Sequence, residues 1–263
     1  MNVRVIDFHS HVGRWGLQGF YDDPKRFLRI MDAAGVDQSC VNCIFYGDAK
    51  RGNDRVFEFV NEHPTRFIPV AYVTPRYPTE AIKELDRSFD KLGMKFLKIY
   101  PDYLRKPVDD PSYSPIYEWA NDRGIVIMSH TMYVSETDPQ YASEYTSAIL
   151  TRPLRFIKLA EKFPRIQWVL AHSGNTIIGQ EEAVEAAKAQ PNIYLETCTS
   201  LGAEGTIEFL VDGAGADRVL FGSDMPLLDA RQQLGRIVTA NISNEAKTKI
   251  LGLNAIKLLN LET

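Results

Sequence analysis

The chain has 263 residues, 44% hydrophobic and 24% charged, with a formal net charge of −4 and a pI near 5.8. Such a composition describes a globular chain, long enough for one large domain or two small ones. The mild acidity argues against a nucleic-acid or membrane-surface partner, no stretch approaches the roughly 20 apolar residues that span a bilayer, and three cysteines are too few for a disulfide scaffold. A cytoplasmic location is expected, since the N-terminal residues show no basic-then-apolar secretory pattern.

Residues 3–11 read V-R-V-I-D-F-H-S-H. The apolar run predicts a strand over 3–8. Alternate side chains of a strand share a face, so Asp7, His9 and His11 are expected to project the same way. Two imidazoles at a strand mouth can bind one metal ion, although the same spacing also fits a strand end with solvated histidines. A helix follows at 24–34, with Phe27, Ile30 and Met31 on one face and Gly35 as its stop. The pattern continues with strand 37–45, helix 54–62, strand 67–73, helix 79–92 and strand 94–100. Next come helix 112–123, with Ile116, Trp119 and Ala120 inward and Gly124 at its end, and strand 125–129. Helix 152–163, strand 166–171, helix 180–189, strand 193–197, a helix near 204–214 and strand 218–221 follow. Helices 227–240 and 245–259 close the series.

Strands alternating with helices imply a parallel sheet with crossover helices. Eight such units predict a single domain over residues 1–263, a (β/α)8 TIM barrel with an extra C-terminal helix. The rival, a doubly wound open sheet, usually carries a Gly-rich phosphate turn after an early strand, and none is present. The longest irregular stretches, 13–23, 101–111 and 131–145, all follow predicted strands, where a barrel places its active-site loops.

The residues ending these strands carry the chemistry. I-V-I-M-S-H ends in His130, W-V-L-A-H in His172, and V-L-F-G-S-D in Asp224. Four of the five histidines stand just past an apolar strand; only His63, in N-E-H-P, does not. A single histidine beside apolar residues is more often a packed core residue. Several strand ends meeting at one barrel rim are better explained by a metal site, and imidazole with carboxylate suits zinc or a similar divalent ion.

The D-x-H-x-H start, A-H-S-G at 171–174 and F-G-S-D-M-P at 221–226 resemble the amidohydrolase superfamily. More narrowly they are similar to its amidohydrolase-related branch, which includes aminocarboxymuconate semialdehyde decarboxylase, resorcylate-type decarboxylases and pyrone dicarboxylate lactonases. Weaker matches are M-D-A-A-G-V-D at 31–37, P-I-Y-E-W-A at 115–120 and N-A-I-K-L-L at 254–259, so the resemblance covers nearly the full chain. It implies that His9, His11, His130 and Asp224 bind the metal, with His172 beside the metal-bound water or the substrate. A divalent ion held in this way lowers the pKa of bound water towards 7. Asp224 then accepts that proton and returns it to the leaving group, while His172 orients hydroxide or polarises a carbonyl. If the reaction is decarboxylation, the water or Asp224 instead protonates the ring or enol carbon. Lys98, in F-L-K-I-Y-P, stands roughly where binuclear members of the superfamily use a carboxylated lysine or a glutamate to bridge two metals. One ion, with Zn2+ favoured, is the expectation; two ions require Lys98 to be carboxylated.

Trp15, Tyr46, Arg51, Tyr100, Tyr103 and Tyr133 follow strand ends and are candidate substrate contacts. Glu196 is another, set against a role as a buried hydrogen-bond acceptor. Asp7 is expected behind the metal ligands as a buried acceptor. Cys40 and Cys43 form C-x-x-C inside a predicted strand, where they face opposite sides and pack in the core, as Cys198 does. The leading expectation is hydrolysis of a C–O or C–N bond in a small carboxylate or carbonyl compound such as a lactone or amide. Non-oxidative decarboxylation of an aromatic or muconate-like acid is the alternative. A non-catalytic barrel subunit comes third, and a nucleic-acid phosphodiesterase is disfavoured by the charge balance. The partner expected is a small-molecule substrate, with homo-oligomerisation left open.

Overall fold

A computed structural model describes residues 3–14, 23–133, 150–200 and 202–262. Eight strands lie parallel in sequence order: β1 Ile6–His11, β2 Gln38–Asn42, β3 Phe67–Tyr72, β4 Phe96–Ile99, β5 Val126–His130, β6 Gln167–Ala171, β7 Ile193–Glu196 and β8 Val219–Leu220. The sheet closes back on itself beyond the short β8. Phe8 N–H donates to Phe221 C=O (2.8 Å), Asp224 N–H to His9 C=O (2.7 Å) and His11 N–H to Met225 C=O (2.7 Å). Helices α1 Pro24–Ala34, α2 Ala49–Glu62, α3 Pro78–Asp90, α4 Ser114–Arg123, α5 Arg155–Lys162, α6 Ile177–Ala189, α7 Thr206–Ala214 and α8 Ala230–Thr239 follow the strands in turn. This is the expected (β/α)8 barrel. Among the described residues no helix is long and apolar enough to cross a membrane.

Local chemistry sets the helix ends. Asp23 accepts from Lys25 N–H ahead of α1, Pro24 occupies its first turn, and Gly35 ends it at φ 75°. Two helices begin earlier than hydrophobic periodicity alone indicates. Asp48 accepts from Arg51 N–H and starts α2 at Ala49 rather than 54. Thr176 accepts from Gly179 N–H and starts α6 at Ile177 rather than 180. In each case the cap satisfies an amide that has no partner within the helix, and it acts ahead of the first apolar contact.

Two apolar layers hold the barrel. Ile6, Phe8, Cys40, Phe96, Val126 and Met128 fill its interior, with Phe8 stacked on Phe96 at 4.6 Å. A larger layer including Phe27, Phe59, Tyr117 and Trp168 lies between strands and helices. Cys40 falls in the inner layer and Cys43 in the outer one, as strand alternation requires, and both are buried free thiols, as is Cys198. The C-terminal segment runs through α9 Asn244–Thr248, a π-type turn Lys249–Leu253 and α10 Asn254–Leu259. Ala255 enters the inner layer. Gly252 lies so close to the chain ahead of β1 that a Cβ would stand 1.9 Å from the Arg4 carbonyl oxygen.

At the β1–β8 seam Asp7 is fully buried. Its Oδ2 accepts from Ser10 Oγ (2.6 Å), Ser39 Oγ (3.2 Å) and Ser223 Oγ (2.6 Å), and its Oδ1 from His9 N–H (3.1 Å) and Ser223 N–H (2.9 Å). One carboxylate thus ties β1, β2 and the turn after β8. Asp7→Ala leaves several buried donors unsatisfied, each costing roughly 1–3 kcal/mol. The variant is expected to lose about 3 kcal/mol or more of stability, read as a lower urea midpoint.

Candidate metal centre and active site

Strand alternation aims most of the site. In β4 Phe96 fills the interior and Lys98, two residues on, points the same way above it. The same holds for Met128 and His130 in β5. β1 departs from this rule. Ile6 and Phe8 lie in the interior, and a register shift between Asp7 and Ser10 then turns His9 and His11 inward. The expectation that Asp7 shares their face is therefore corrected: Asp7, ahead of the shift, alternates away from Ile6 and Phe8 and meets the seam serines.

The ring nitrogens of His9 and His11 and a carboxylate oxygen of Asp224 lie within 4.8 Å of one another. His11 Nε2 is 2.9 Å and His9 Nε2 3.6 Å from Asp224 Oδ1. Each imidazole is held from behind. His9 Nδ1 lies 3.1 Å from Glu196 Oε2, and His11 Nδ1 lies 2.9 Å from Asn42 Oδ1. Asn42 Nδ2 donates to Ser10 C=O, so its Oδ1 is the acceptor for a proton on His11 Nδ1. Glu196 accepts from the His172 and Cys198 backbone N–H groups and shares a proton with His9 Nδ1, burial having raised its carboxyl to about 8. Both Nε2 atoms then converge on the Asp224 carboxylate. A proton on His11 Nε2 or a cation between the groups satisfies the 2.9 Å approach, and the donor set fits a divalent metal.

The other strand-end groups surround this cluster. Lys98 is fully buried, with Nζ 3.1 Å from His9 Nε2. The His172 ring lies 5.0 Å from that of His9 and 4.9 Å from that of His130. His172 and Asp224 share a second group with Cys198, and His172 and His9 a third with Glu196. His130 joins none of these: its Nε2 faces Asp102 Oδ2 at 3.6 Å and its Nδ1 is buried without a hydrogen-bond partner. Two site residues sit in the left-handed region, His172 at φ 66° and Asp224 at φ 58°. Such backbone costs about 1–3 kcal/mol per residue. The bonds from His172 N–H to Glu196 (2.9 Å) and from Asp224 N–H to His9 C=O (2.7 Å) oppose that cost.

Burial sets the protonation states. It holds His9 and His130 well below the usual imidazole range, helped by Lys98 at His9 and by His172 at His130, and it brings His172 down to about 4. Neutral imidazole is the form that ligates a metal. Burial lowers Lys98 to about 8 against the opposing pull of Asp224 and Glu196. Burial alone would raise Asp224, but the hydrogen bond and charge of His11 outweigh it and hold the carboxyl below its ordinary value. Burial pushes the Cys198 thiol far up, which makes it a poor ligand.

The remaining candidates are spread more widely. Tyr100 is stacked between Tyr103 and the His130 ring, 4.3 Å from each. Arg51 lies over the Tyr46 ring at 4.9 Å, and Arg152 over the Tyr133 ring at 4.5 Å. Glu196 is fully buried and engages His9 and two backbone amides. Trp15 lies outside the described residues. Sequence reading missed Asn42, Phe45 and Asp102. Phe45 places its ring 5.5 Å from that of His11. Asp102 has two oxygens without hydrogen-bond partners, and burial raises it to about 7. Asn42 was visible as a lone polar residue at a strand end; the other two gave no local signal.

Fold and site together define a barrel enzyme with a divalent-metal centre at the C-terminal rim of its strands. The pattern of the Amidohydrolase family matches residues 6–261, and the chain belongs to that family, in its amidohydrolase-related branch. It is 26% identical over 237 residues to 2-amino-3-carboxymuconate-6-semialdehyde decarboxylase of Dictyostelium discoideum, covering 80% of this chain and 66% of that one. The match thus spans just under two thirds of that relative's length. It is 24% identical over 288 aligned positions to gamma-resorcylate decarboxylase of Polaromonas sp. strain JS666, covering 91% and 88%. The fold matches the crystal structure of dihydroxybenzoic acid decarboxylase from Polaromonas sp. JS666, which holds manganese and the inhibitor 2-nitroresorcinol. The TM-score is 0.79 at 20% identity, with 99% of this chain and 98% of that one covered. These findings overturn the expectation of hydrolysis, since all three proteins are decarboxylases. Activated water at such a centre is a capability of the ligand set, and that set does not determine which bond is broken.

Asn42→Ala frees the His11 ring without touching a ligand atom. It is expected to weaken divalent-metal affinity about 10–100-fold in chelator competition.

Proposed function

We propose that this protein is a metal-dependent, non-oxidative decarboxylase of a planar aromatic or muconate-like carboxylic acid. The observation that carries the reading is the convergence of His9 Nε2, His11 Nε2 and Asp224 Oδ1 at the rim of a barrel whose relatives are decarboxylases. His9, His11 and Asp224, with His130 as a fourth candidate, would hold the ion. The imidazole-rich set favours zinc. Manganese is the competing choice, because the structural neighbour contains it. One ion is expected: the Lys98 ammonium beside His9 repels a second cation unless the lysine is carboxylated.

When bound, the ion supplies Lewis acidity toward the substrate's carboxylate and neighbouring oxygen. The protein's own groups manage the proton. Asp224 holds the proton that the carboxylate-bearing carbon receives. Asp224 takes up that proton as the substrate anion binds beside it, since a nearby negative charge favours the neutral carboxyl. As the C–H bond forms, the bond to the carboxyl carbon breaks, its electron pair returns to the π system, and carbon dioxide leaves. Asp224 then regains a proton from solvent, so that R–COO− and H+ become R–H and CO2. His172, neutral and buried, orients the substrate beside this carbon, and burial around the site excludes water.

Three outcomes test the reading. Incubation with 2,6-dihydroxybenzoate or a muconate-type acid releases carbon dioxide, and in D2O the product carries one deuteron at the carbon that lost its carboxylate. Asp224→Asn is expected to lower kcat at least about a hundredfold, in line with loss of general acid catalysis. Chelation abolishes activity, and added zinc or manganese restores it; full activity in metal-free protein would sink the proposal. Metal analysis giving one equivalent per chain supports the single-ion form, whereas two equivalents would reverse it.

A further inference from the structure

Beside the metal centre lies a cavity of about 340 Å3 among the loops that follow β2, β3 and β4. Its size falls in the range of small-molecule sites. Phe45, Tyr46, Tyr72 and Tyr103 line it. Two of these rings connect it to the centre. Phe45 packs on metal-ligand candidate His11, and Tyr103 stacks on Tyr100, which in turn stacks on His130. The cavity adjoins a groove of about 690 Å3, with which it shares Gly47, Thr74 and Arg76.

Among the described residues Arg76 is the one formal charge in the cavity lining. It is exposed, and no hydrogen bond or ion pair engages it among the described residues. Of the other cations along the groove, Lys83 lines only its outer part and not the cavity. Arg87 is bound by Glu84 and Asp54, and Lys50 by Asp54. A guanidinium with five donors, set at the mouth of an aromatic-walled cavity, is suited to bidentate capture of a carboxylate.

We infer that Arg76 is a specificity-determining residue, anchoring a second carboxylate of the substrate while the carboxylate to be lost lies at the metal centre. The preferred substrate is then a planar dicarboxylic acid, its ring or diene lying between Phe45 and Tyr103. This inference rests on the decarboxylase reading for the placement of the first carboxylate. It separates from that reading because binding alone reports it.

The test measures affinity of manganese-loaded protein for benzoate, isophthalate and terephthalate by calorimetry. The two diacids place the second carboxylate at different reaches from the first. At least one diacid is expected to bind about tenfold or more tightly than benzoate, the scale of one charge-assisted contact. Arg76→Gln removes that advantage and leaves benzoate affinity unchanged; Arg76→Lys retains part of it; Arg76→Glu reverses it. A merely structural role for Arg76 would instead lower all three affinities together and shift the thermal midpoint, which overturns the assignment. Equal binding of benzoate and both diacids by the wild type would overturn the dicarboxylate inference and leave the decarboxylase reading standing. A diacid preference that survives Arg76→Gln would overturn the role of Arg76. Absence of binding by all three acids would overturn the placement of the first carboxylate, and this inference with it, whatever carbon dioxide release shows.

Discussion

The closure of β1 onto the chain beyond β8 is the constraint on which the site depends. β8 is two residues long, so ladder hydrogen bonds alone hold little of the seam. The buried Asp7 carboxylate supplies the rest by collecting donors from Ser10, Ser39 and Ser223. The same seam bonds Asp224 N–H to His9 C=O. The two ends of the chain thereby bring His9, His11 and Asp224 together, and this cluster is a by-product of closing the barrel.

That closure also buries His9, His130 and His172, whose rings lose the hydration that would stabilise a positive charge. Two imidazoles are also fixed by polar partners. Asn42 serves His11, and Glu196 serves His9 while also receiving the amide of His172. Glu196 thereby links two histidines from different strands through one buried carboxylate. The left-handed backbone at His172 and Asp224 is tolerated because these bonds over-determine both turns.

Much of the fold was legible because strand and helix periods differ and glycines stop α1 and α4. Lys98 and His130 were readable as rim residues, since plain alternation aims them. β1 was readable only in part. The H-x-H spacing survives the bulge, but the side taken by Asp7 does not, because a one-residue shift in pairing exchanges faces. Asn42, Phe45, Asp102 and Arg76 escaped notice because their roles depend on loops from different units meeting in space. The reaction itself was misjudged: a ligand set that can activate water also serves the relatives that break C–C bonds.

The amino-acid sequence by itself determined the eight alternating units, the strand-end histidines and the family, since each rests on local periodicity or on short contiguous motifs. Tertiary structure decided which of those histidines converge, that Glu196 stands behind His9, and that an aromatic cavity with one arginine adjoins the cluster. Those outcomes depend on the bulge in β1 and the closure of the barrel, which set distances between residues up to 216 positions apart in the chain. No local pattern carries that information.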